Sequence, residues 1–124
     1  MDAMVTKGDR MRTVQLALLL IVATPMVAMG DAASAKKNFV RFCAKCHGTE
    51  GKGDGPQADA LSTKPRDFTD CERMKTMSDE TLFTAIKGGG EAVQLSKDMP
   101  AWKDGMEDDE IHDLVAYVRS LCNK

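Results

Sequence analysis

The chain has 124 residues and a formal net charge of −2. Without its first 30 positions, 14 basic and 17 acidic residues remain, a net charge of −3. This mildly acidic balance argues against nucleic acid as a partner, since phosphates attract basic surfaces. Aromatic residues make up 5% of the chain, so a single small domain has little apolar material of its own. We expect it to need a staple or a buried group for stability.

The first 30 residues have the organisation of a secretory signal peptide. Three basic residues between positions 7 and 12 precede an apolar run from Leu16 to Ala23, which continues more weakly to Ala28. A basic start followed by a short apolar run is typical of such signals. We therefore predict a signal peptide at residues 1–30 and one exported domain, expected in the periplasm, at residues 31–124.

Two details of this leader stay open. Small residues permit cleavage after Gly30 or after Ala35, and we favour Gly30 because the later cut would fall inside the first predicted helix. A retained membrane anchor is the alternative. Against it, Pro25 interrupts the apolar stretch, and a spanning helix needs about 20 apolar residues.

The first helix is predicted over Ala32–Cys43, where apolar residues recur at helical spacing. It leads directly into Cys43-Ala44-Lys45-Cys46-His47, the Cys-x-x-Cys-His pattern to which c-type haem is attached. Two thiols at this spacing add to the two vinyl groups of one porphyrin, and the next residue places an imidazole under the iron. A thioredoxin-like site or a zinc knuckle also uses Cys-x-x-Cys, but the chain lacks the alternating strands of the former.

Beyond the motif, glycines break regular structure, and residues 57–77 are predicted as a loop with a short helix near Ala58–Leu61. A middle helix follows, with Ser78 as its N-cap and Gly88 as its C-terminal stop. A second loop carries Met99. The last helix is predicted behind an acidic run at residues 107–110 that suits the helix dipole. Its apolar stripe comprises Ile111, Leu114, Val115, Val118 and Leu121.

Cys71 and Cys122 are left over from the haem motif. In an oxidising compartment such cysteines most often pair, so we predict a disulfide between them. A four-cysteine zinc site with Cys43 and Cys46 is disfavoured, because neither extra cysteine belongs to a closely spaced pair. His112, the other histidine, lies off the apolar stripe and is predicted to be exposed rather than a second axial ligand.

From about Ala32 to Leu121 the chain resembles a bacterial, exported class I mono-haem cytochrome c. The resemblance rests on Phe39 ahead of the haem motif, the run Gly51-Lys52-Gly53-Asp54-Gly55-Pro56, the segment Met99-Pro100-Ala101-Trp102 and the closing helix Leu114-Val115-Ala116-Tyr117-Val118-Arg119. It implies an all-α fold, in which three to four short helices wrap around one covalently bound haem c. It also implies that the first and last helices cross, with Phe39 against Leu114 and Tyr117.

The resemblance further implies the site. His47 is expected as the proximal ligand, with the Pro56 carbonyl accepting a hydrogen bond from its other ring nitrogen. Met99 is expected as the sixth ligand, a neutral thioether that favours ferrous iron. The remaining methionines outside the leader, Met74, Met77 and Met106, are the alternatives.

The candidate hydrogen-bond donors to the haem propionates are Lys64, Arg66 and Trp102. Ordinary surface charge is the alternative for the two cations, and core packing is the alternative for Trp102.

The expected function is single-electron transfer between a redox protein donor and a redox protein acceptor, without catalysis. Two alternatives stay open: an electron-entry subunit of a larger oxidoreductase, and a haem enzyme or gas sensor with an open sixth position. Membrane association is expected only through a retained leader or through a complex.

Overall fold

A computed structural model of the protein describes residues 31–124 and the single residue Ala23. The predicted leader, apart from Ala23, lies outside the described residues. Within them the chain is helical and contains no strand, which confirms the expected all-α class. The α-helices are α1 (Ala32–Asn38), α2 (Ala44–His47), α3 (Cys71–Met74), α4 (Asp79–Gly88) and α5 (Asp108–Ser120). Three 3₁₀ turns lie at Ala58–Ala60, Gly90–Val93 and Leu121–Asn123.

The first predicted helix is interrupted and extended. A π-helical turn occupies Phe39–Cys43, and α2 continues through His47. The Ala44 N–H donates to the Phe39 carbonyl, five residues back, which is the bonding pattern of a π turn. Such a turn inserts one residue into the helical repeat, and the helix continues beyond it. A pattern of apolar residues at α-helical spacing does not reveal it.

The middle and last helices begin as predicted. The Ser78 hydroxyl accepts a hydrogen bond from the Thr81 N–H at the start of α4. Glu107 caps α5 in a reciprocal arrangement with Glu110, so the acidic run does serve the helix start. Helix α3 was missed by the sequence analysis, which assigned its residues to a loop. Asp70 caps this single turn by accepting from the Arg73 N–H.

The core lies where α5 packs against α1 and α4. Phe39, Ile111 and Leu114 are at most 1% exposed. The rings of Phe39 and Tyr117 lie 5.2 Å apart, so the expected crossing of first and last helices is present. The whole predicted stripe of α5 is buried as well. None of the helices in residues 31–124 is both long and apolar enough to cross a bilayer.

Candidate haem site

A cavity of about 600 Å³ lies beside α2. Cys46 and His47 contribute to its wall from α2, and Met99 contributes from the loop before α5. Apolar residues of three other segments complete the wall, among them Leu61, Phe68, Leu82, Ile86 and Val118. The cavity is therefore mainly apolar and has the cysteine-histidine motif and a methionine on its surface.

The loop after α2 folds back on the motif and fixes its shape. The N–H groups of Gly53, Gly55 and Gln57 donate to the carbonyls of His47, Cys46 and Lys45, at 2.8, 3.1 and 2.8 Å. A Cβ atom on Gly55 would lie 2.5 Å from the carbonyl oxygens of both Ala44 and Lys45. Glycine is therefore required where this loop passes over the motif, because any side chain would collide with backbone.

The imidazole of His47 is held by packing rather than by a hydrogen bond from its Nδ1 atom. Its ring stacks on Phe68 at 4.6 Å, and its Nδ1 atom is buried with no hydrogen-bond partner among the described residues. Burial lowers the pKa of His47, and the nearby backbone of Arg66 opposes that shift. The imidazole is thus kept neutral, the form that binds metals.

The expected hydrogen bond from His47 to the Pro56 carbonyl is absent from the structure, and this role of Pro56 stays a prediction. Pro56 is exposed, does not line the cavity and accepts no hydrogen bond from Nδ1. The backbone that approaches the ring belongs to Arg66, ten positions further along the chain. The long loop between α2 and α3 returns to the histidine through Arg66 and Phe68, a path that motif spacing did not reveal.

Both cysteines of the motif are free thiols, each partly buried. Burial raises the pKa of Cys43 to about 11, and the neighbouring Cys46 adds to this shift.

Two of the four candidate methionines line the cavity. Met77 and Met99 are both on its wall, whereas Met74 and Met106 are 1% and 7% exposed within the hydrophobic core. The loop of Met99 is tied to the end of α4, because the Gly90 N–H donates to the Met99 carbonyl at 3.0 Å. Neither Met74 nor Met106 lines the cavity, so Met77 remains as the competitor of Met99 for the proposed sixth position.

The cations at the cavity are more numerous than expected. Lys64 and Arg66 line it, and so do Lys52 and Arg73, which the sequence analysis did not single out. Nothing in the local sequence marks those two, since the fold alone brings them to the cavity. Trp102 packs its ring on Phe42 at 5.2 Å and does not line the cavity. This is the packing role left as its alternative, and the propionate role of Trp102 stays a prediction.

Cys71 and Cys122 lie side by side but are free thiols in the structure. The Cys71 thiol donates to the Cys122 carbonyl oxygen at 2.6 Å. Interaction with the Cys122 side chain raises the pKa of Cys71. The fold therefore brings the predicted pair together, and the disulfide itself stays a prediction.

His112 is exposed on α5, as predicted, and its ring stacks on Phe83 at 4.4 Å. It does not line the cavity, so a second histidine ligand is not available there.

These residues fit a covalently attached haem. The Cys46 thiol, a buried imidazole with an unpartnered nitrogen and two thioethers line one mainly apolar cavity, and Cys43 lies three residues before Cys46 on the same helical segment. The fold and the site define a c-type cytochrome that carries haem c. More narrowly, residues 30–118 match the family described as cytochrome c oxidase, cbb3-type, subunit III, and the chain belongs to this family.

Similar proteins include both complex subunits and a small cytochrome. The chain is 30% identical over 117 residues to the cbb3-type cytochrome c oxidase subunit FixP of Bradyrhizobium diazoefficiens, covering 94% of this chain and 37% of FixP. It thus spans little more than a third of that relative. Cytochrome c6 of Thermosynechococcus vestitus is 28% identical over 106 residues, covering 86% of this chain and 84% of the relative.

Two solved structures have a similar fold. The KustC0563 c-type cytochrome superimposes with a TM-score of 0.58 at 26% identity, covering 70% of this chain and 95% of that one. A chain of the Kuenenia stuttgartiensis reducing HAO-like protein complex Kustc0457/Kustc0458 has a TM-score of 0.58 at 30% identity. That match covers 73% of this chain and 43% of the other.

Proposed function

We propose that this protein is a single-electron carrier of a respiratory or periplasmic electron-transfer chain. Cys43 and Cys46 would attach the haem, and His47 and Met99 would be its axial ligands. The observation that carries this proposal is the placement of His47 and Met99 on the wall of one apolar cavity, next to the cysteine pair. The bound haem supplies an iron that alternates between the ferric and ferrous states.

The protein's own residues prepare this site for electron transfer rather than catalysis. Phe68 holds one face of the His47 ring, which limits its rotation. The mainly apolar wall would place the haem in a low-dielectric environment, which together with a neutral thioether favours the ferrous state. Lys64 and Arg66 offer donors to the propionates from the same wall. With Met99 bound, no open position is left for a substrate.

A subunit role in a larger oxidoreductase is the second candidate, because the matching family and FixP are both described as parts of an oxidase. In that role the haem residues would be the same, and the redox partner would be a neighbouring subunit. Fractionation of cells that express the full chain separates the two. A free periplasmic carrier is released with the periplasm, whereas a subunit stays in the membrane fraction and purifies with other redox proteins.

Met99 ligation is tested by optical spectroscopy of the oxidised and reduced holoprotein. We expect a weak thioether-to-iron charge-transfer band in the ferric wild type and its loss in Met99→Ala. Met77→Ala is the matched control, since Met77 lines the same cavity and should leave the band in place. Loss of the band in Met77→Ala alone would assign the ligand to Met77. A wild type that lacks the band and binds carbon monoxide readily would favour the enzyme or gas-sensor alternative.

A further inference from the structure

Asp98 connects the two loops that flank the haem cavity. Its Oδ2 atom accepts a hydrogen bond from the Ser62 N–H at 2.9 Å and a second, short one from the Ser62 hydroxyl. The two residues are 36 positions apart in sequence. Both side chains are near the protein surface, so no core packing holds the loops together at this point.

The two loops contribute separate stretches of the cavity wall, one between residues 61 and 68 and one between residues 95 and 100. Ser62 follows the 3₁₀ turn Ala58–Ala60, and Ala58 is anchored to the haem-motif loop because its N–H donates to the Gly55 carbonyl at 2.9 Å. Asp98 directly precedes Met99, and Asp98 and Met99 both line the cavity. The pair therefore joins the loop that follows the haem motif to the loop that carries Met99.

Besides Asp98, backbone hydrogen bonds attach the Met99 loop to the end of α4, including one from the Trp102 N–H to the Ile86 carbonyl at 3.0 Å. The Gly90 N–H donates to the Met99 carbonyl, and the Leu95 N–H donates to the Gly90 carbonyl at 2.8 Å. The Asp98–Ser62 contact instead attaches the Met99 loop to the loop that follows the 3₁₀ turn Ala58–Ala60, and it acts one residue from the expected ligand.

We propose that Asp98 is a positioning residue which, by bonding Ser62, holds the Met99 loop closed over the haem and keeps Met99 on the iron. This inference rests on the proposed His47/Met99 ligation. The loop must open before an external ligand can replace Met99, so the contact would govern the rate of that replacement. Its effect comes from two hydrogen bonds to one carboxylate oxygen.

The test measures the rate at which imidazole binds the ferric holoprotein, together with amide hydrogen exchange. We expect Asp98→Ala to raise the rate of imidazole binding about 3- to 10-fold. This range corresponds to the net free energy of a typical hydrogen bond, although the substitution removes two bonds at an exposed site. Ser62→Ala keeps the backbone N–H donor and should give a smaller increase. Adding Ser62→Ala to Asp98→Ala should change nothing further, because residues that act through one contact are not additive. Amide exchange should rise in residues 61–63 and 96–99, and not in α5.

Two matched variants separate the hydrogen bonds from charge. Asp98→Asn removes the charge but keeps an acceptor oxygen, so it should recover part of the wild-type rate. Asp59→Ala removes an exposed negative charge from the neighbouring 3₁₀ turn and should leave the rate unchanged. Equal effects of Asp98→Asn, Asp98→Ala and Asp59→Ala would overturn the proposal in favour of general electrostatics. Additive effects of the Asp98 and Ser62 substitutions would also overturn it.

Failure of the ligation itself has a different signature. If wild type lacks the thioether band, the proposed His47/Met99 ligation is wrong, and so is a positioning role toward Met99. If the band is present while Asp98→Ala leaves both imidazole binding and amide exchange unchanged, the ligation stands and only the Asp98 inference fails.

Discussion

The helix crossing and the cavity wall are held together in different ways. Where α1 meets α5, Phe39, Ile111 and Leu114 are nearly inaccessible to solvent. The loops beside the cavity are held instead by backbone hydrogen bonds at glycines and by exposed polar contacts such as that of Asp98 with Ser62. The crossing has its apolar partners within the chain, whereas the loops surround a volume that the chain does not fill.

This difference indicates which part of the molecule depends on haem. Burial of apolar side chains stabilises the crossing directly. A wall around a cavity of about 600 Å³ lacks packing partners on its inner side until that volume is occupied. We therefore expect the crossing to carry the stability of the fold and the loops to control the properties of the iron.

The largest expected effect comes from the crossing. Phe39→Ala removes a ring that is 1% exposed and packs on Tyr117 at 5.2 Å. It should lower the free energy of unfolding by about 3–5 kcal/mol in guanidinium titrations of the holoprotein. Val40→Ala, at a neighbouring side chain that is 46% exposed, should change it by less than about 0.5 kcal/mol. Similar losses for both variants would show that the crossing does not dominate stability.

The side chain of Arg119 connects α5 to the segment before α4, which carries Met77 at the cavity wall. From α5 its guanidinium donates to Asp79 at 2.7 Å, to the Met74 carbonyl at 2.6 Å and, in a short contact, to the Met77 carbonyl. Arg119→Met should cost about 2–3 kcal/mol, because two backbone carbonyls lose a charged donor. Arg119→Lys should restore only part of this, since lysine lacks the planar fork. Full restoration by lysine in the same denaturation experiment would mean that charge alone matters.

Gly90→Ala tests whether the loop packed against Gly90 positions Met99. An added Cβ would lie 1.9 Å from the Ser96 carbonyl oxygen and 3.2 Å from the Met99 Cβ, so the Met99 loop must move. We expect a cost of about 2 kcal/mol and a weaker thioether band. Gly105→Ala is the control, because the nearest atom to its Cβ would be 3.9 Å away. An unchanged band in Gly90→Ala would show that this loop does not position Met99.

The smallest expected change in stability comes from the N-cap of α4. Ser78→Ala removes the hydroxyl that accepts from the Thr81 N–H and should cost about 1 kcal/mol in the denaturation experiment. Ser78→Asp, which supplies another good cap, should retain the stability of wild type. The optical spectrum should be the same in all three proteins. A change in the spectrum would show that α4 transmits strain to the cavity.

Much of the fold was predictable because local signals agreed with one another. The stripe of α5, the Ser78 cap and the acidic start at Glu107 all appear in the structure as expected. The π turn at Phe39–Cys43 and the single-turn helix α3 were not predicted. One residue inserted into a helical repeat and one turn inside a long loop leave no clear periodic pattern.

For the site as well, local sequence predicted one part and tertiary contacts determined the rest. The haem-attachment motif could be identified from the sequence alone, since Cys43, Cys46 and His47 lie within five consecutive positions and the chemistry requires their spacing. It also left four methionines outside the leader as candidates for the proposed sixth ligand. The tertiary structure was needed to show that Met77 and Met99 reach the cavity, that the Arg66 backbone approaches His47 and that Asp98 meets Ser62. These contacts join residues separated by long loops, whose paths depend on packing and glycine turns across the whole domain.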